Sequence, residues 1–386
     1  MTAARLEDAI KQLFVKNNDD ASTSTAAVGY DCVFIVGPSR ISIGCHRAIV
    51  QARSTAMKDV IISESNNADD EDGSILEINL PDDAEAIRAL VQYCYTNTIP
   101  TKSISSLEAV DNLLLATKKF GLDEVAELCK KLIAALEHQS SLPASMEGKI
   151  LAVPNSHLDL TCLIDDKVFS DMIIKTEDED IHAHKCVLLS RVPSLASEIQ
   201  LNADVSKDVV DISNIPRISV NRVMLFLYGD KVAATNHEEV LQDIITAKEL
   251  NVNELVSKLE RIALAHITDD NALDVLKFSM HNGLEDLKNA ALDSLANCDY
   301  DGLFESIKRL ENSCSSITIE FENAVRTAEQ SRTKQTPQLI QGISLRGCMG
   351  LVAASLVSLL LLQNDNEFLV AFTNVCFCLT VGFFFL

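Results

Sequence analysis

The sequence predicts an α+β protein built from two tandem copies of one domain, followed by a helical region and a hydrophobic C-terminal tail. Residues 169–193, FSDMIIKTEDEDIHAHKCVLLSRVP, give the repeating unit. Apolar runs at 172–174 and from Ile181 flank a charged tip at 177–180, the pattern of a β-hairpin. The tip lacks Asn-Gly or Asp-Gly, so its turn type stays open. Cys186, Val187, Leu188 and Leu189 then form a dense apolar helical face, which Pro193 ends. Residues 30–54, YDCVFIVGPSRISIGCHRAIVQARS, repeat this grammar. Asp31 stands for Asp171, 33–36 for 172–174, Cys45-His46-Arg47 for Ala183-His184-Lys185, and Ala48-Ile49-Val50 for 186–188. Recurrence of a whole supersecondary unit at a domain's spacing predicts two copies of one domain. The length of 386 residues with 47% hydrophobic content agrees, being more than one core accommodates.

In chain order, residues 1–27 are an amphipathic helix with Leu6, Ile10, Leu13 and Phe14 on one stripe, then a polar link. The helix carries acids and has no long apolar core, unlike a signal peptide. The first domain spans 28–140. After the unit, a short helix holds 56–62 and a polar insertion runs 63–74. Residues 75–80 alternate as a half-buried strand, and Pro81 opens a helix whose N-terminus Asp82 and Asp83 favour. Ile87, Leu90, Val91 and Cys94 stripe that helix. Residues 107–120 and 122–136 are a helix pair joined at Gly121, a natural residue just past a helix end. A linker follows at 141–156. The second domain, 157–265, repeats the strand at 209–212, the helix at 217–228 and the pair at 238–250 and 253–266. Short amphipathic helices at 271–280, 284–296 and 303–310 fill 266–330, and 331–346 is a polar linker.

Residues 347–386 change character. Two apolar runs, 347–362 and 368–386, flank a polar break. The final run of about 19 residues spans ~28 Å as a helix, near the ~30 Å of a bilayer core. One helix through both runs would bury Asp365 and Glu367 at roughly 2.5–3.5 kcal/mol each. The tail, from Leu345 through Phe368 to Leu386, is therefore read as a membrane hairpin or a single C-terminal anchor. Arg332, Lys334 and Arg346 put the folded domains on the cytosolic side. A buried helical hairpin is the alternative, and the chain is then cytoplasmic.

A formal charge of −23 disfavours nucleic acid as a partner. With 5% aromatics and no Trp, stacking on sugars or bases is unpromising. The acidic runs at 69–72 and 177–180 read as solvated loops without calcium-ligand spacing. The 11 cysteines are scattered, form no CxxC, and sit partly in apolar runs (Cys32, Cys94, Cys186), as in a reducing compartment. There is no phosphate loop, GxSxG or HExxH. His182 and His184 share a strand face, but no third ligand stands at metal-site spacing. No enzyme, cofactor or metal is expected.

These residues resemble the BTB/POZ domain: an Asp, an apolar hairpin, Ala-His-Arg/Lys and an apolar helix, most closely in the second copy. The first has Gly44-Cys45 where Phe/His-Ala is usual and a tip longer by about two residues. Tyr93-Cys94-Tyr95-Thr96 and Leu227-Tyr228-Gly229-Asp230 resemble the family's helix end, and both closing helix pairs are present. The sequence from Asn271 resembles the start of the BACK helical region. No kelch, MATH, ankyrin or zinc-finger pattern is seen.

The resemblance implies a protein-interaction module that dimerises or holds a cullin, with the two copies free to pair within one chain or between chains. It implies that His46 and His184 pack at the helix start, and that Asp31 with Arg47, and Asp171 with Lys185, form the charged pocket. Such a pair is more often structural than functional. It makes the N-terminal helix a candidate for exchange across a dimer. Ile62-Ser63-Glu64 matches the hydrophobic-x-Glu tripeptide of cullin binders, an apolar plug with a rim charge, whereas Ala196-Ser197-Glu198 has a poor plug. The leading expectation is an adaptor of a cullin–RING ubiquitin ligase tethered to a cytosol-facing membrane. The alternative is a self-associating scaffold without ubiquitin chemistry.

Overall fold

A computed structural model of the chain describes residues 6–19, 29–67, 75–138, 150–153, 157–197, 200–201, 208–268 and 270–297. The chain divides into two units, 1–291 and 292–386, and both copies of the repeated domain lie in the first. The predicted helix at 303–310 and the tail with Leu345, Phe368 and Leu386 lie outside the described residues. Among the described residues no helix is long and apolar enough to cross a membrane.

Helix α1, Leu6–Asp19, comes first. The first copy opens with β1, Cys32–Val36, and β2, Ile41–Cys45, paired antiparallel with Phe34 opposite Ile43. Gly37 at φ 66° and Arg40 at φ 50° turn the hairpin. Helices α2, Arg47–Arg53, and α3, Thr55–Asn67, follow. The expected break at Ser63 does not occur. No Gly or Pro interrupts 63–67, so the helix runs on through the polar residues. Strand β3, Leu76–Leu80, alternates buried and exposed and lies parallel to β1, giving the order β2-β1-β3. Helix α4, Ala84–Thr96, starts later than Pro81 predicts. Asp83 is its N-cap, accepting from the Ala86 N–H at 2.9 Å, and Asn97 closes it at φ 55°. Strand β4, Thr98–Pro100, a short 3₁₀ turn, α5, Leu107–Lys119, and α6, Asp123–His138, complete the copy. Gly121, at φ 67°, joins the last two.

The expected linker holds a strand. Strand β5, Ile150–Ala152, pairs antiparallel with β4. The second copy repeats the first: a 3₁₀ turn at Thr161–Leu163, β6, Met172–Lys175, β7, Ile181–Ala183, and α7, Lys185–Arg191. After α7, which ends before Pro193, a 3₁₀ turn, Pro193–Ser197, stands where the first copy has α3. A two-residue strand that the pattern does not announce, β8, Gln200–Leu201, pairs with β9, Asp208–Asp211, in the order β7-β6-β9-β8. Helices α8, Arg217–Gly229, α9, His237–Glu249, and α10, Asn253–Ala265, match α4 to α6. Helix α11, Ala272–Asn282, ends at Gly283 (φ 64°), and α12, Glu285–Asn297, follows.

The helices α4 and α8 are both 13 residues long, as are α5 and α9, so each helix aligns residue by residue with its counterpart, although the connection between them is shorter in the second copy (230–236 against 97–106). Their cores differ at one place. The first copy packs Ala86, Ala89, Leu113 and Ala116, all buried. The second puts Ser219, Arg222, Asp243 and Thr246 there. Asp243 accepts from Ser219 Oγ at 2.7 Å and from Arg222 Nε at 2.8 and 2.9 Å, and Thr246 Oγ1 donates to Ser219 Oγ at 3.0 Å.

Candidate functional site

The seam between the two copies gathers most of the residues singled out in the sequence. Helix α1 lies across it, against β2 and α4 of the first copy and α7 and α8 of the second. Its apolar stripe is Leu6, Ala9, Ile10 and Leu13, all buried, and the Phe14 ring sits 5.3 Å from that of Tyr95. The helix seals both copies at once because one stripe about 100° wide meets a groove with one copy on each wall.

Equivalent residues hold its first turn. Asn97 and Asp230 both cap in the left-handed region, at φ 55° and 53°. The Leu6 N–H donates to Asp230 Oδ2 at 3.2 Å, and Asn97 Nδ2 donates to Glu7 Oε1 at 3.2 Å. The carboxylate of Asp230 thus meets the positive end of a helix 224 residues away. Behind each cap stands an arginine on an aromatic ring. Arg53 donates to Asn97 Oδ1 at 2.8 Å and lies 4.8 Å from the Tyr93 ring. Arg191, fully buried, pairs with Asp230 at 2.7 Å and lies 5.0 Å from the Phe226 ring.

Polar bonds cross the seam directly. Arg53 Nη1 donates to the His157 carbonyl at 2.7 Å and Gln51 Nε2 to that of Val168 at 3.3 Å. Lys58 pairs with Asp166 at 3.7 Å, and the Arg47 guanidinium lies 5.4 Å from the Phe169 ring. The sequence marked Arg47, and Asp230 only as part of a helix end, but not Gln51, Arg53 or Asn97. The repeated Arg at the end of α2 and α7 is the signal that would have found the pair.

His46 and His184 pack at the starts of α2 and α7, each against a tyrosine. The His46 N–H donates to the Tyr95 hydroxyl at 2.7 Å, which meets His46 Nδ1 at 2.8 Å; His184 N–H and Tyr228 repeat this at 3.0 Å. Burial holds His46 neutral, lowering its pKa to about 4. The unfolded chain binds a proton at this residue below about pH 6.5, while the folded chain does so only near 4. Stability is therefore expected to fall as pH drops from about 6.5 to 4, by up to about 3 kcal/mol. His46→Asn should flatten that window in urea titrations at successive pH values; an unchanged slope would exclude His46 as the source.

The aspartates act as caps more than as ion-pair partners. Asp31 Oδ1 accepts from the Arg47 N–H at 2.8 Å, and Asp171 Oδ1 from the Lys185 N–H at 2.8 Å. Arg47 Nε also reaches Asp31 Oδ2, at 3.3 Å. The expected Asp171–Lys185 side-chain pair is corrected: the Lys185 ammonium pairs with Asp208 at 2.9 Å. The reason is β9, which brings Asp208 opposite Met172, beside the start of α7. Although Asp171 is exposed as a residue, desolvation of its carboxyl raises its pKa, and the nearby Asp31 charge adds to this.

Ile62 is half-buried and Glu64 exposed, both within α3 rather than after it. Positions i and i+2 on a helix point roughly 200° apart, so the two do not form one plug-and-rim surface. His182 N–H donates to Asp165 Oδ1 at 3.0 Å, and among the described residues no group of three His, Cys, Asp or Glu is arranged for a metal.

Two copies of an α+β module, joined through a shared helix and a shared strand, define a tandem protein-interaction protein. The BTB/POZ domain profile matches residues 23–136 and 161–267, more than half of the chain, which therefore belongs to the BTB/POZ family. The chain is similar to BTB/POZ and MATH domain-containing protein 3 of Arabidopsis thaliana, at 26% identity over 219 residues. That match takes in 52% of this chain and 53% of the relative, so the chain spans about half the length of that curated protein. Among solved structures, the BTB domain of zebrafish PATZ1 matches at 19% identity and a TM-score of 0.25, covering 35% of this chain and 98% of that one.

Proposed function

We propose that the chain is a non-catalytic adaptor whose two BTB/POZ copies pair with each other, leaving a monomer that binds partner proteins on its outward faces. The observation that carries this is α1, one helix held by Asn97 of one copy and Asp230 of the other. BTB/POZ domains serve protein association, and here the two halves of a dimer occupy one chain. Light scattering after gel filtration tests it. A single-chain mass at tens of micromolar (order of magnitude for a weak association) is expected; a stable dimer would overturn the reading.

A role in a cullin–RING ubiquitin ligase is the second reading, resting on the resemblance of Ile62-Ser63-Glu64 to the tripeptide of cullin binders, although the two side chains leave α3 on different sides. Ile62→Ala with Glu64→Ala would then abolish co-purification of a cullin, whereas the scaffold reading expects no change. Membrane attachment is a separate proposal resting on the apolar residues 347–386. A carbonate wash should leave the full chain in the pellet and release one lacking 347–386; release of both would end it.

A further inference from the structure

Cys32 and Cys45 stand opposite each other in the antiparallel pair of β1 and β2. Facing residues point to one side of a sheet, so the two side chains share a face. Their Cα atoms are then ~4.5–5.5 Å apart, inside the ~4.4–6.8 Å that a disulfide spans. Both cysteines are free, and they are 0% and 1% exposed. A hydrogen bond with the Cys32 thiol, more than burial, raises the Cys45 pKa well above that of an ordinary thiol. The second copy has Met172 opposite Ala183 at this place, so the thiol pair belongs to the first copy. Cys45 is also where the first copy leaves the family pattern, with Gly44-Cys45 for Phe/His-Ala. The strand that carries it is an edge: in the order β2-β1-β3 it pairs with β1, and α1 packs against it. The Phe14 ring of α1 sits 5.3 Å from that of Tyr95, whose hydroxyl accepts from the His46 N–H beside Cys45. Gly44 weakens this strand, having no side chain to pack. The thiols are therefore protonated and sealed while α1 is seated, and β2 is the strand that loosens when α1 lifts.

We propose that Cys32 and Cys45 are a redox pair that hydrogen peroxide closes into a cross-strand disulfide, with α1 as the gate. One thiolate sulfur attacks a peroxide oxygen, the O–O bond breaks, and a sulfenic acid forms with loss of one water. The second sulfur then displaces the sulfenic oxygen, which leaves with a proton as a second water. Two thiols are oxidised and one peroxide is reduced to two waters. The new bond ties the edge strand to β1 and so fixes the surface on which α1 sits. Both residues lie in one hairpin, so the inference is independent of whether the copies pair within a chain or between chains.

The test treats the reduced full chain with hydrogen peroxide, alkylates it in urea and digests it with trypsin. Cleavage after Arg40 and Arg47 puts the two cysteines on separate peptides, so the bond appears as ISIGCHR, residues 41–47, linked to the peptide ending at Arg40. That linked pair should form, vanish with dithiothreitol, and be absent in Cys32→Ser and in Cys45→Ser. Its rate of formation should rise about tenfold in Phe14→Ala, and at least as much in a chain lacking residues 1–19, an order-of-magnitude expectation for a gate. Native alkylation of Cys129, buried on α6, should stay slow in Phe14→Ala. Three results would overturn the inference: no linked pair in the parent at any peroxide concentration its fold survives; linkage of Cys45 to the neighbouring Cys94 in its place; or a rate that is equal in parent and variants, or that rises only together with Cys129 alkylation, meaning that α1 does not gate the pair.

Discussion

Asp243→Ala is expected to lower the unfolding free energy by about 3–5 kcal/mol, the cost of breaking one side of a buried ion pair. Arg222 would keep its charge with its side chain only 11% exposed, and the nearest remaining carboxylate, Glu239, stands at 3.8 Å. Ser219 Oγ would lose its acceptor as well. The first copy shows how the same position packs without charge, through Ala86, Ala89, Leu113 and Ala116. The triple change Ser219→Ala, Arg222→Ala, Asp243→Leu should therefore recover most of the loss, ending within about 1–2 kcal/mol of the starting protein. Urea unfolding of the two variants decides. A single variant as stable as the parent, or a triple variant no better than the single, would contradict this account of the network.

The second large effect is expected from α1. Ile10 is fully buried between the copies, and Ile10→Asp would place an unpaired carboxylate there, at a cost of about 3 kcal/mol or more. Because the helix touches both copies, the damage should reach their coupling as well as their stability. Calorimetry should show one cooperative transition in the parent and two in the variant. Deleting residues 1–19 should act more strongly, uncovering the apolar groove beside Tyr95, and should raise the apparent mass in light scattering as exposed grooves associate. A single transition at unchanged temperature in Ile10→Asp would mean that the copies are joined elsewhere.

The repeated stretches at 30–54 and 169–193 announced the strands and the first helix of each copy, because burial in a hairpin and a short helix is written in local periods of two and 3.6. The BTB/POZ family was legible for the same reason, and His46 and His184 stand where the motif puts them. The end of α3 was misjudged because Ser and Asn at 63–67 are neutral in a helix that nothing stops.

What the sequence by itself determined was the two copies and most of their elements; that Asp31 and Asp171 cap α2 and α7 was decided by the structure. The tertiary structure alone decided how the copies join. It passed β5 from the second copy's lead-in to the first copy's β4, laid α1 across both, and turned Lys185 from Asp171 to Asp208. The reason is physical. A periodic pattern says that a face is buried but carries no label for what buries it, and the partners here stand far apart in the chain.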